Sequence, residues 1–85
     1  MPLPQEFTPE QLAYIESQVN AQAGFTFVSA NISGTDKLHM EFTKPAGGKD
    51  GLSQSARNNQ DWLTNDGQFK AVVAEAVDNM VKHHS

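Results

Sequence analysis

Apolar residues at Phe69, Val72, Val73, Ala76, Val77, Met80 and Val81 recur at the i, i+3, i+4, i+7 spacing of one helix face. The spacing predicts a core helix. Its other face reads Lys70, Ala71, Ala74, Glu75, Asp78, Asn79 and Lys82, which is the composition of a surface that meets water. Asn65 and Gln68 have capping-box spacing, Asp66 puts negative charge at the positive end of the helix dipole, and Lys82, His83 and His84 put donors at the negative end. The helix is therefore predicted over about 66–83.

A second helix is signalled at the other end of the chain. Thr8 suits the N-cap, Pro9 the first helical position, Gln11 the capping-box partner, and Phe7 with Leu12 the hydrophobic staple. Its stripe of Leu12, Ile15, Val19 and Ala23 is narrow, and Gly24 is the expected stop, so the helix is predicted over about 9–23. Residues 1–7, with two prolines and no period, read as a flexible lead-in.

Between the helices the period changes to two, over about 25–33 and 37–44. Leu38, Met40 and Phe42 point one way, and Lys37, His39, Glu41 and Thr43 the other. In the first run Val28, Ala30 and Ile32 share one face, and Phe25, Phe27, Ser29 and Asn31 the opposite one. Setting Ile32 against Leu38, Ala30 against Met40 and Val28 against Phe42 makes one coherent apolar side and calls for an odd loop centred on Thr35. Residues 45–64 are then a loop or contain a short helix that Ser53 caps. Trp62 is expected to plug the core where this segment crosses it.

The predicted architecture is a small single α+β domain over residues 8–85, of order helix-hairpin-(loop or short helix)-helix (α-β-β-α). Both helices pack on one face of an antiparallel β-hairpin. Because a hairpin alone is marginal, either residues 45–60 supply a third strand or a second copy pairs with the hairpin edge. At 85 residues there is room for one core.

Charge and composition narrow the function. Ten acidic against six basic residues give a net charge of −4, which argues against a protein built to neutralise phosphates or an anionic membrane. The absence of cysteine removes disulfides and thiolate chemistry, which favours a reducing compartment. No apolar run approaches a membrane span, and Met1 to Pro4 lack the pattern of a signal peptide, so a cytoplasmic location is expected.

Candidate chemistry is sparse. Gly47, Gly48 and Lys49 lack the spacing and the following Ser or Thr of a phosphate-binding loop and read as a turn. His83 and His84 are adjacent on a helix and point about 100° apart, which does not suit chelation of one ion. His39 and Glu41 lie about 7 Å apart along one strand face, with no nucleophile in evidence, and read as a solvated surface. No catalytic, cofactor-binding or metal-ligating signature is present.

The expectation is a small acidic, non-enzymatic protein-binding module. The element order, without any residue motif, is similar to that of small helix-hairpin-helix proteins of bacteriophages and identifies no family. A bacterial or phage-encoded inhibitor or adaptor is expected from the apolar pair Phe25 and Phe27 on an otherwise polar face. The residues expected to meet the partner are Phe25, Phe27, Ser29, Asn31, His39, Glu41, Lys49 and Arg57, on the outer hairpin face and the 45–60 loop. The first strand carries neither charge nor proline, so pairing along it is expected, most simply in a homodimer. The competing reading is a nucleic-acid accessory protein that touches phosphate through Lys37, Lys44, Lys49 and Arg57.

Overall fold

The computed structural model of the chain describes residues 6–34, 36–56 and 61–84. Five elements follow one another: α1 (Pro9–Asn20), β1 (Thr26–Ser33), β2 (Lys37–Thr43), β3 (Lys49–Ser55) and α2 (Asp66–His84). The α+β class and the two helices agree with the sequence reading, but the order is α-β-β-β-α. Residues 49–55 form neither a loop nor a helix capped by Ser53. They complete a three-stranded antiparallel sheet of order β1-β2-β3.

The start of α1 is built as the sequence implies. Thr8 Oγ1 accepts the Gln11 backbone N–H at 3.1 Å, and Gln11 Oε1 accepts that of Thr8 at 3.0 Å. The same Gln11 amide donates to the Leu63 carbonyl at 3.1 Å, tying α1 to the turn before α2. Thr8→Ala is therefore expected to lower stability by about 0.5–2 kcal/mol through loss of the cap. A urea unfolding midpoint equal to the parent's refutes that role.

At α2 the box is only half formed. Asn65 Oδ1 accepts the Gln68 N–H at 3.2 Å, but the Gln68 side chain reaches back to the N–H of Asp61 instead. The far end of α1 falls short of Ala23, because the chain tightens after Asn20 and Gly24 turns it at φ +86°.

The sheet keeps the expected register along most of β1 and departs from it near the start. Ile32 faces Leu38 and Ala30 faces Met40 as expected, and residues 34–36 span the pair Ser33 and Lys37; Thr35 itself lies outside the described residues. Val28 does not face Phe42. A β-bulge between Phe27 and Ser29 leaves Val28 without a partner and sets Phe27 opposite Phe42. One extra residue inverts the alternation upstream of it, so Phe27 turns to the core side and Phe25 is buried, 5.7 Å from the Phe42 ring. The assignment of Phe25 and Phe27 to the outer face is thereby corrected.

The core lies between one sheet face and the two helices. Leu38, Met40 and Phe42 of the central strand are fully buried, together with Ile15 and Val19 of α1 and Val72, Val73, Ala76 and Met80 of α2. Trp62 fills the end of this layer, edge-on to Phe7 at 5.7 Å and stacked on Phe69 at 6.5 Å. Phe7 therefore belongs to the core and not to a flexible lead-in; residues 1–5 lie outside the described residues.

β3 sits beside β2 with Asp50, Leu52 and Gln54 opposite Phe42, Met40 and Leu38. Its two polar positions on the helix side are claimed by α2. Asn79 donates to Gln54 Oε1 at 2.6 Å, Gln54 donates to Glu75 at 3.1 Å, and His84 Nδ1 meets Asp50 Oδ2 at 2.6 Å. Part of the α2 face read as free in water thus holds β3. Among the described residues no helix is long and apolar enough to cross a membrane.

Candidate functional site

The expected contact residues do not share one surface. Ser29, Asn31, His39 and Glu41 do lie together on the outer sheet face, where Ser29 is paired with Glu41 and Asn31 with His39. Phe25 and Phe27 face the other way, as described above. Lys49 is exposed at the start of β3, at the opposite end of β2 from Lys37. Arg57 lies outside the described residues. Lys44 and Lys49 share one end of the sheet while Lys37 stands at the other, across a strand about 20 Å long.

Without the two phenylalanines the outer face is a polar strip. His39 Nδ1 is 3.1 Å from Ser53 Oγ, and its Nε2 is 3.9 Å from Glu41 Oε1, beyond hydrogen-bond distance. The row lies on an open sheet surface. Ser53 joins it because β3, the third strand that residues 45–60 were expected to supply as one alternative, pairs beside β2.

The rim of the sheet carries a second polar group. Asp50 accepts from His84 and, at 2.8 Å through its other oxygen, from the N–H of Gly51, with Lys44 Nζ 3.9 Å away. The His84 hydrogen bond foremost, then the Gly51 N–H, hold this carboxyl below its ordinary range of about 3.9; partial burial opposes them, and the charges of His84 and Lys44 add to the lowering. His84 also stands edge-on to Phe42 at 5.4 Å, so the end of α2 is fastened to the sheet through both polar and aromatic contacts.

A carboxyl lowered on folding contributes stability above its unfolded pKa, and that contribution is lost as pH falls through the folded value. The parent is therefore expected to be more stable than Asp50→Asn at pH 6. The gap should narrow steadily below about pH 4. Urea midpoints of both proteins at pH 6, 4 and 2.5 check this, and a gap independent of pH excludes it.

An open apolar groove lies on the other side of the sheet, where α1 stands beside β1. Pro9, Leu12, Ala13 and Glu16 of the helix and residues Phe27 to Ala30 of the strand enclose a groove of about 460 Å³. Val28 stands at its lip. It is the only large hydrophobic side chain counted as exposed among the described residues, at 39%. Leu12, Phe27 and Ala30 are half-buried along the floor. β1 is an edge strand, and no strand pairs with its outer side among the described residues. At its start the Phe27 N–H is already taken, donating to Asn20 Oδ1 at 2.9 Å.

Two elements of this groove escaped the sequence reading. Leu12 belongs to the narrow α1 stripe expected at the core's edge, and Val28 to the register expected against Phe42. One signal was readable: residues 1–36 contain Glu6, Glu10, Glu16 and Asp36 and no lysine or arginine, while the remaining six acidic and six basic residues cancel. The whole net charge of −4 belongs to the segment that builds α1 and β1. Comparison with protein-family models, with curated proteins and with solved structures finds no match to this chain.

Proposed function

We propose that this chain is a non-enzymatic protein-binding module, of the inhibitor or adaptor kind, that accepts a partner's extended segment as a fourth strand along the free side of β1. The observation that carries the reading is the edge itself. Strand edges left open are usually blunted by charge or proline, and β1, Thr26 to Ser33, has neither. The incoming backbone supplies the hydrogen bonds of a ladder, and alternate side chains fall toward the groove between α1 and β1, which gives selectivity.

The bulge at Val28 contributes to this arrangement. It turns Phe27 inward to form the groove floor and leaves Val28 at the lip, where an incoming apolar side chain covers it. Burying apolar surface there is favourable at about 25 cal/mol per Å². The pairing begins beyond Phe27, because Asn20 occupies that donor.

The test is selection from a display library of random decapeptides against the parent, with counter-screening on Ala13→Trp. Ala13 is an exposed α1 residue on the groove wall, so the larger ring fills the groove without entering the core. Enriched peptides are expected to be free of internal proline, to bind the parent and to lose at least tenfold in affinity on the variant. Enriched peptides that bind both proteins equally overturn the reading.

A further inference from the structure

We infer that the strand accepted by β1 is basic, with a lysine or arginine and an apolar residue alternating along the side that faces α1. The inference rests on the edge-docking reading above and adds the chemistry of the partner. It follows from where the charges lie. Glu16 stands on the groove wall among Leu12, Ala13, Phe27 and Ala30, so one side of an added strand meets both an apolar floor and a carboxylate. No described lysine, arginine or histidine forms an ion pair with Glu16. Side chains two apart on a strand share a face at a spacing of about 7 Å, so one residue reaches the floor while the next on that face reaches Glu16.

The Glu16 carboxylate draws a positively charged segment to the groove, and backbone pairing then holds it there. The β1 strand of a second copy carries no lysine or arginine to meet Glu16. Charge therefore selects a basic partner strand over an isologous β1 pair.

The opposite side of the added strand looks out past Ser29 and Asn31, which are exposed and uncharged. Small polar residues suit those positions. The partner pattern is then polar, apolar, polar, basic, repeated.

Binding of labelled octapeptides, followed by fluorescence anisotropy, tests the inference. The probes are Thr-Val-Thr-Lys twice over and its counterpart with glutamate in place of lysine. The lysine peptide is expected to bind the parent at least tenfold more tightly at low salt, with the difference shrinking in 0.5 M salt. Glu16→Lys, at an exposed helix position, should cancel or reverse that preference while the melting temperature stays near the parent's. Ala13→Trp should weaken both peptides. Equal binding of the two peptides, or a preference untouched by Glu16→Lys, overturns the basic-strand inference and leaves edge docking standing if Ala13→Trp still blocks both. No binding of either peptide, or binding indifferent to Ala13→Trp, overturns both. A parent that sediments as a dimer, with Ala13→Trp monomeric, assigns the edge to a second copy and likewise overturns the inference.

Discussion

Phe42→Ala is expected to cost about 3–5 kcal/mol, the range for removing a fully buried aromatic side chain. Several conditions push it toward the upper end. Phe42 is completely buried on the central strand, and β2 is hydrogen-bonded to a neighbour on each side, so the backbone cannot close on the cavity. The ring also takes edge-on contacts from Phe25 at 5.7 Å and from His84 at 5.4 Å. Such aromatic pairs contribute about 0.5–1.5 kcal/mol beyond the area they bury. Small domains have about 5–15 kcal/mol in total, so the variant is expected to melt tens of degrees below the parent or to be unfolded at 37 °C. Glu41→Ala, one residue earlier and on the exposed outer face, should stay within about 0.5 kcal/mol of the parent. Thermal and urea unfolding of the pair decide it; equal losses at both positions contradict the division of the sheet into a core face and an outer face.

That division was legible in β2 because its alternation is uninterrupted from Lys37 to Thr43. The helices were legible for a comparable reason, since caps and apolar spacing are local signals. α2 was placed to within a residue at each end, and the start of α1 at Pro9. The losses came where the outcome depended on a distant partner. β3 carries Asp50 and Gln54 at positions on the helix side, which by pattern alone argue against a buried strand. They are tolerated because His84, Glu75 and Asn79 of α2 supply their hydrogen bonds. No local spacing announces a partner that lies more than twenty residues on.

The candidate site was half legible for the same kind of reason. β1 could be recognised as an uncharged edge, and the register beyond the bulge, Ile32 to Leu38 and Ala30 to Met40, follows from matching apolar faces. The bulge itself left no glycine to mark it. Without it the parity of the strand assigns Phe25 and Phe27 to the outer surface, and with it the same residues become core and groove floor. A single inserted residue therefore moved the expected contact surface from the outer face to the side next to α1. The charge division at residue 36 was open to inspection, but it acquires meaning only once α1 and β1 are known to be neighbours.

Gly24→Ala is expected to produce the other large loss, through the backbone. Gly24 holds φ at +86°, and placing an L-residue in that left-handed region costs roughly 1–2 kcal/mol. Space is also lacking there: a Cβ on Gly24 falls 2.7 Å from the Cβ and 2.8 Å from the Cγ of Pro45. Pro45 is a rigid ring just after β2, so relief requires the turn after α1 and the turn between β2 and β3 to move apart. Overpacking of this kind adds about 1–3 kcal/mol, for a combined loss of about 2–5 kcal/mol. Gly47 separates the two contributions. Its φ is +91°, but a Cβ there meets nothing within 4 Å, so Gly47→Ala should show the conformational part alone, about 1–2 kcal/mol. Urea unfolding of Gly24→Ala and Gly47→Ala beside the parent gives the comparison. A Gly24 variant no less stable than the Gly47 variant shows that the two turns are not in contact, and it removes the packing that orients the start of β1, and with it the groove, relative to the rest of the sheet.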